Sequence, residues 1–138
     1  MSNFYYGPTS KRRLAECHID IQVVFNRVIL YRDCSVLVGH REQEAQQHAF
    51  DTGKSTLVWP ESKHNKMPSD GVDVAPWFDV APHIRWNDRD SFYHFGGFVL
   101  GVAAELGIRL RWGGDWDGDQ DLHDQKLMDL VHFERRTI

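Results

Sequence analysis

The sequence predicts an α+β fold in a single domain. Helical runs and short β-branched segments are mixed without regular βαβ alternation, and no glycine-rich phosphate motif follows a strand, which argues against a doubly wound nucleotide-binding sheet. The chain has 138 residues, close to the commonest domain length: enough for one sizeable core, with little left for a second. Residues 1–138 are therefore read as one unit.

In chain order, the first element is a helix from Ser10 to about Tyr31, capped by Thr9 or Ser10. Leu14, Cys17, Ile21, Val24, Phe25, Val28 and Ile29 recur on one buried face. Ser35–Val38 is short and β-branched, a strand. Glu42–Phe50 is polar and helix-prone and stops at Gly53. Leu57–Trp59 reads as a second short strand, and Pro60–Asp70, rich in Pro, Ser, Asn and Lys, as a surface loop. In Gly71–Ala75, Val72 and Val74 alternate with Asp73, so a strand that buries the valines turns Asp73 to the other side, and Pro76 ends it.

Asn87 or Asp88 caps a long helix with Phe92, Phe95, Val99, Val102 and Leu106 inward and Gly107 at its end. Gly96, Gly97 and Gly101 weaken this helix by roughly 1 kcal/mol each relative to alanine, and close packing against a neighbour would offset that. Ile108–Trp112 is a strand, Gly113–Lys126 an acidic loop, and Leu130–Glu134 the last strand.

Composition narrows the function. Hydrophobic residues make up 41% and charged residues 26%, ordinary for a soluble globular chain. A net charge of −4 argues against a general grip on nucleic acid, which needs a concentrated basic surface; Lys11, Arg12 and Arg13 are only a short basic run. No 18-residue apolar run occurs, and Met1–Pro8 lacks an apolar stretch of signal-peptide length, so neither membrane insertion nor a signal peptide is expected. Cys17 and Cys34 are read as reduced structural thiols.

The residues with chemistry lie in Ser62–Asp73 and Asp129–His132. His64, Asp73 and His132 offer two imidazole nitrogens and a carboxylate oxygen, a donor set that suits zinc and leaves a coordination position for water. Metal-bound water with a pKa lowered to about 7 is a nucleophile at neutral pH, and a second carboxylate must then take its proton. Asp129 is the candidate base. In a regular strand, positions 129 and 132 face opposite ways, so both reach one ion only if the chain bends there. Glu134, which shares the face of His132, is the geometric rival, and spacing does not separate the two.

These residues resemble a known family. Ser62-Lys63-His64, Pro68–Pro76, Gly107–Trp116 and Asp129–Glu134 are similar to motifs of the zinc D-alanyl-D-alanine carboxypeptidase and L-alanyl-D-glutamate endopeptidase family, specifically its single-domain phage endolysins. The resemblance runs from about Val36 to Glu134. It implies a compact zinc peptidase fold with a central antiparallel sheet and packed helices. It implies that His64, Asp73 and His132 bind Zn2+, that Asp129 rather than Glu134 is the base, and that Arg41 steadies the developing oxyanion, as a fixed guanidinium aimed at new negative charge does. Ser62 is expected to contact substrate or orient the site.

The implied substrate is the stem peptide of peptidoglycan, cut between L-alanine and D-glutamate, with removal of terminal D-alanine as the alternative. A non-catalytic zinc-binding wall or partner-binding module is the reading from another class. The chain is expected to be a monomer made in the host cytoplasm that acts on the wall after release.

Two further features are noted. Asp115, Asp117, Asp119, Asp121 and Asp124 form an oxygen-rich set of the kind Ca2+ takes, but the EF-hand glycine and bidentate glutamate are absent, and a solvated acidic loop is the preferred reading. Of the five tryptophans, Trp77, Trp112 and Trp116 lie closest in sequence to the site motifs, as candidates to line a groove.

Overall fold

A computed structural model describes residues 4–123 and 129–136. Its elements are α1 (Pro8–Ala15), α2 (Ile19–Val28), β1 (Cys34–Val38), α3 (Gln43–Asp51), β2 (Gly71–Pro76), α4 (Arg89–Glu105), β3 (Leu110–Gly113) and β4 (Asp129–Arg135), with a 3-10 turn at Lys63–Asn65. The strands form one antiparallel sheet in the order β1-β2-β4-β3, the expected α+β arrangement.

Alternation gives the sheet two chemically different faces. Val36, Val72, Val74, Trp112 and Phe133 are buried in the core with Ile21, Val24, Phe25 and Val28 of α2 and Phe95, Val99 and Ala103 of α4. Phe133 is at the centre of this cluster, its ring centroid 5.4 Å from Phe25, 6.2 Å from Phe95 and 6.4 Å from Trp112. Full burial of such side chains contributes about 1.5–3 kcal/mol each, which makes this face the main source of the sheet's stability. Asp73 pairs with His132 and Arg111 with Glu134 across neighbouring strands, and these polar positions point the other way.

The expected helix from Ser10 to Tyr31 is two helices. At the break, the Glu16 carbonyl accepts from Ser69 N (2.9 Å) and His18 N donates to the Ser69 carbonyl (2.8 Å), so backbone groups that would continue a helix are satisfied by a distant loop. His18 Nδ1 then accepts from Asp20 N and caps α2. The apolar positions expected to be buried are all buried; the differences are in the continuity, the cap and the C-terminal end, since α2 stops at Val28. Gly7, not Thr9 or Ser10, is the N-cap of α1, with Pro8 as its first residue, while Ser10 Oγ accepts from Val36 N across the sheet edge.

Leu57–Trp59 is not a strand. The Leu57 carbonyl accepts from the Gln46 side chain and Leu57 N donates to Ser55 Oγ, so side chains take the place of a ladder. Pro76 belongs to β2 and β4 begins at Asp129. Asp88 caps α4. Gly96 is closely packed as expected: a Cβ there would overlap the Trp112 indole, whereas Gly97 and Gly101 face open space. Among the described residues, no helix is long and apolar enough to cross a membrane.

Candidate active site

Three elements bring the predicted donors together. Asp73 stands in the middle of β2, His132 is its register partner on β4, and His64 comes from the 3-10 turn. His64 Nε2, His132 Nδ1 and Asp73 Oδ1 form a nearly equilateral triangle, with separations of 3.1 Å from His64 to Asp73, 3.0 Å from His132 to Asp73 and 3.2 Å between the two imidazoles. A tetrahedral ion with bonds of about 2.0–2.2 Å sets its ligand atoms roughly 3.3–3.6 Å apart, so the triangle is a few tenths of an ångström tighter than one zinc-sized ion would set it.

The outer nitrogens fix the inner ones. His64 Nδ1 donates to the Gly39 carbonyl (2.8 Å), which leaves Nε2 a lone pair directed inward. His132 Nε2 donates to Glu134 Oε1 (2.9 Å), which frees Nδ1 in the same way. With both imidazoles neutral, three acceptor atoms thus face one another, and the positive charge their grouping calls for is met either by protons on the imidazoles, shared with Asp73, or by a metal ion at their centre.

The local fold explains why each side chain is held. Ser62 Oγ accepts from His64 N (3.2 Å) and Ser62 N donates to Asn65 Oδ1 (3.0 Å), a capping box around the turn. Arg41 N donates to the His64 carbonyl (2.8 Å), and the Asn65 amide donates to the Arg41 carbonyl (3.0 Å). Ser62 is buried and orients the turn. It also lines the cleft.

That cleft encloses about 630 Å³ and brings together Arg41, Ser62, His64, Asp73, Asp129 and His132. All six predicted site residues line it. Asp129 and His132 both reach it because pairing is irregular: Trp112 pairs with Phe133, but the next residue, Gly113, pairs with Asp129. A Cβ at Gly113 would collide with the Asp129 carbonyl, so glycine permits the close approach on which this bend depends.

The charges set one another's protonation. Burial works against the charged form of Asp73, but hydrogen bonds from His132 and His64 outweigh it and hold the carboxyl well below the usual range. Burial pulls the His132 imidazolium down, yet the carboxylates of Asp73 and Glu134 push its pKa up to about 9. Asp129 is raised, first by burial and then by the Asp73 charge, against the opposing pull of His132, His64 and Arg41. Burial likewise opposes ionisation of Glu134, but His132 and Arg111 lower it overall. Both Glu134 oxygens are committed, Oε1 to His132 and Oε2 to Arg111 through Nη2 (2.6 Å) and Nε (3.2 Å).

Sequence reasoning missed the Arg111–Glu134 pair as a support for His132 and missed Gln46 altogether. One signal for the pair was present, because Glu134 shares a face with His132. Gln46 lies three residues before Ala49, the other buried position of α3, and that spacing was its only mark. Of the tryptophans, Trp116 lines the cleft, with its ring centroid 5.7 Å from that of His132 and Arg111 over its face. Trp112 is core, and Trp77 stacks on His83 away from the cleft lining.

The calcium alternative for the acidic loop gains no support. Asp124 lies outside the described residues, as does part of the acidic loop that contains it. The carboxylates of Asp115, Asp117 and Asp119 come within 4.8 Å of one another, but two of these residues are exposed. All three accept from amides of their own loop, at Gln120, Asp119 and Asp121 respectively, which accounts for their grouping as turn-forming aspartates.

Comparison with known proteins gives a consistent picture. The family model described as phage L-alanyl-D-glutamate peptidase matches residues 1–135. The L-alanyl-D-glutamate peptidase of Escherichia phage T5 is 30% identical over 125 residues, 89% of each chain. The crystal structure of the Serratia marcescens L-Ala D-Glu endopeptidase ChiX is similar in fold, with a TM-score of 0.72 at 24% identity over 97% of this chain and 92% of that one.

Proposed function

This chain belongs to the phage L-alanyl-D-glutamate peptidase family, and from that membership we propose that it is a zinc-dependent endolysin that hydrolyses the bond between L-alanine and D-glutamate in peptidoglycan stem peptides. The observation that carries the zinc reading is the triangle of inward-facing acceptors from His64, Asp73 and His132 inside a cleft that also contains Arg41 and Asp129. An ion held by these three residues supplies Lewis-acid polarisation of the scissile carbonyl and lowers the pKa of a water at neutral pH.

The rest of the work falls to the chain's own groups. Asp129 takes the proton of the attacking water and passes it to the nitrogen of the departing D-glutamate. Its place at the cleft with the three donors suits it to that transfer. The commitment of both Glu134 oxygens supports Asp129 over Glu134 in this role. Arg41 directs guanidinium N–H groups toward the oxygen that gains charge, as preorganised donors must. Trp116 offers an apolar ring at the cleft wall against which the peptide packs. The substrate lies in the cell wall, reached from the host cytoplasm.

Digestion of purified Gram-negative sacculi, followed by mass spectrometry of the released peptides, tests this reading. The expected products have new C-terminal L-alanine and new N-terminal D-glutamate, and a zinc chelator abolishes them. Release of free D-alanine alone would make the protein a carboxypeptidase, and no release despite a bound ion would make it a binding module.

A further inference from the structure

We infer that Gln46 is a positioning residue of this peptidase, holding the Arg41 guanidinium and the Ser55–Leu57 wall of the cleft in register with the turn that bears His64. The inference rests on the functional reading above and extends it to a residue that does not itself touch the reacting atoms.

Gln46 is 0% exposed, on a helix whose other residues are mostly solvated. Its side-chain amide makes four hydrogen bonds. Oε1 accepts from Arg41 Nη1 (3.2 Å) and Asn65 Nδ2 (3.1 Å), and Nε2 donates to the Leu57 carbonyl (2.7 Å) and to Ser55 Oγ (3.0 Å). A glutamine amide has two acceptor and two donor positions, and here all four are used.

The orientation of the amide is set by its partners. The guanidinium only donates and the Leu57 carbonyl only accepts, so turning the amide over would place NH2 against NH2 on one side and oxygen against oxygen on the other. Packing does not ask for an amide at this position. A methionine would fill a similar volume without burying four polar valences.

The amide instead links three pieces of the cleft. Arg41 is tied to the His64 turn through its backbone at both N and O, and Gln46 fixes the far end of the same side chain. One Nη of Arg41 is thereby anchored, which leaves its other N–H donors to point at a substrate oxygen from a defined place. The donor half of the Gln46 amide meanwhile anchors residues 55 and 57, which line the same cleft. A displacement of about 1 Å in such a group costs on the order of 100-fold in rate.

The test compares Gln46→Met and Gln46→Glu, each alone and in an Arg41→Ala background. Three quantities are read: muropeptide kinetics, zinc affinity by chelator competition, and solvent exchange of the Arg41 Nε–H by NMR. Gln46→Met is expected to lower kcat by about tenfold or more and to speed Arg41 Nε–H exchange. It should leave zinc affinity short of the roughly 10- to 100-fold loss that follows removal of a ligand's own partner.

In the Arg41→Ala background the same change is expected to cost less than about twofold, because its effect runs through Arg41. Gln46→Glu keeps an acceptor for Arg41 and Asn65 but loses the donors to Ser55 and Leu57, so kcat should be retained while KM rises. For Gln46→Met, an equal loss in both backgrounds, an unchanged kcat, or unaltered Arg41 exchange overturns the inference. If Gln46→Met does not fold, Gln46→Glu decides: a kcat loss as large as that of Arg41→Ala would count against it. If the wild type cleaves no muropeptide, the functional reading fails, while Arg41 exchange still decides the role of Gln46.

Discussion

Asp129 and Glu134 are both acidic, both near His132 and both on β4, yet their surroundings give them different work. Glu134 is locked between His132 Nε2 and Arg111, and Asp129 sits at the cleft with a raised pKa. Replacing Asp129 by alanine is expected to lower kcat by about 10²–10⁴-fold with zinc affinity nearly unchanged. Replacing Glu134 by alanine is expected to weaken zinc binding by about 10- to 100-fold, because His132 loses the group that fixes its tautomer. Kinetics and chelator competition on the two variants check the contrast, and a reversed pattern would exchange the roles. Residue chemistry made His64, Asp73 and His132 legible in the sequence. The link from Glu134 to Arg111 and the burial of Gln46 were not, because each depends on which distant segment the fold brings alongside.

Elements were legible where periodicity alone decides them, as in α4, β2 and the inward positions of α2. They were misread where a long-range partner overrides local pattern: Ser69 breaks the first helix, and the Gln46 amide takes the Leu57 carbonyl that a strand would pair. The glycines of α4 give a direct check on packing at this scale. Gly96→Ala would push a methyl into the Trp112 indole and is expected to destabilise by about 1–3 kcal/mol. Gly97→Ala, in open space on the same helix, is expected to stabilise by about 0.5–1 kcal/mol. Thermal or denaturant unfolding of the pair reads both signs.

At the scale of the whole molecule, the loop that leads into β2 is fastened to the end of β4 by Asp70. This buried carboxylate accepts from Arg135 Nε (3.1 Å) and pairs with Lys66 Nζ (3.2 Å). Burial alone would raise its pKa, but these two cations lower it overall. A carboxylate with a lowered folded pKa adds stability that is present above its ordinary value near 3.8 and is lost as pH falls through the lower folded value. Unfolding measured against pH should therefore show a stability loss in that acidic window that is smaller in Asp70→Asn. An equally steep loss in the variant would remove Asp70 from the explanation.

The proposed zinc site belongs to the same scale, since an ion held by His64, Asp73 and His132 would tie β2, β4 and the His64 turn into one unit, and an ion that binds only the folded chain stabilises it by mass action. The most direct measurement is titration of metal-free protein with zinc while cleavage of a defined muropeptide is followed. The expectation is that scission between L-alanine and D-glutamate appears with zinc and saturates at a single ion per chain, with a parallel rise in thermal stability. Full cleavage of that bond by the metal-free protein would contradict it.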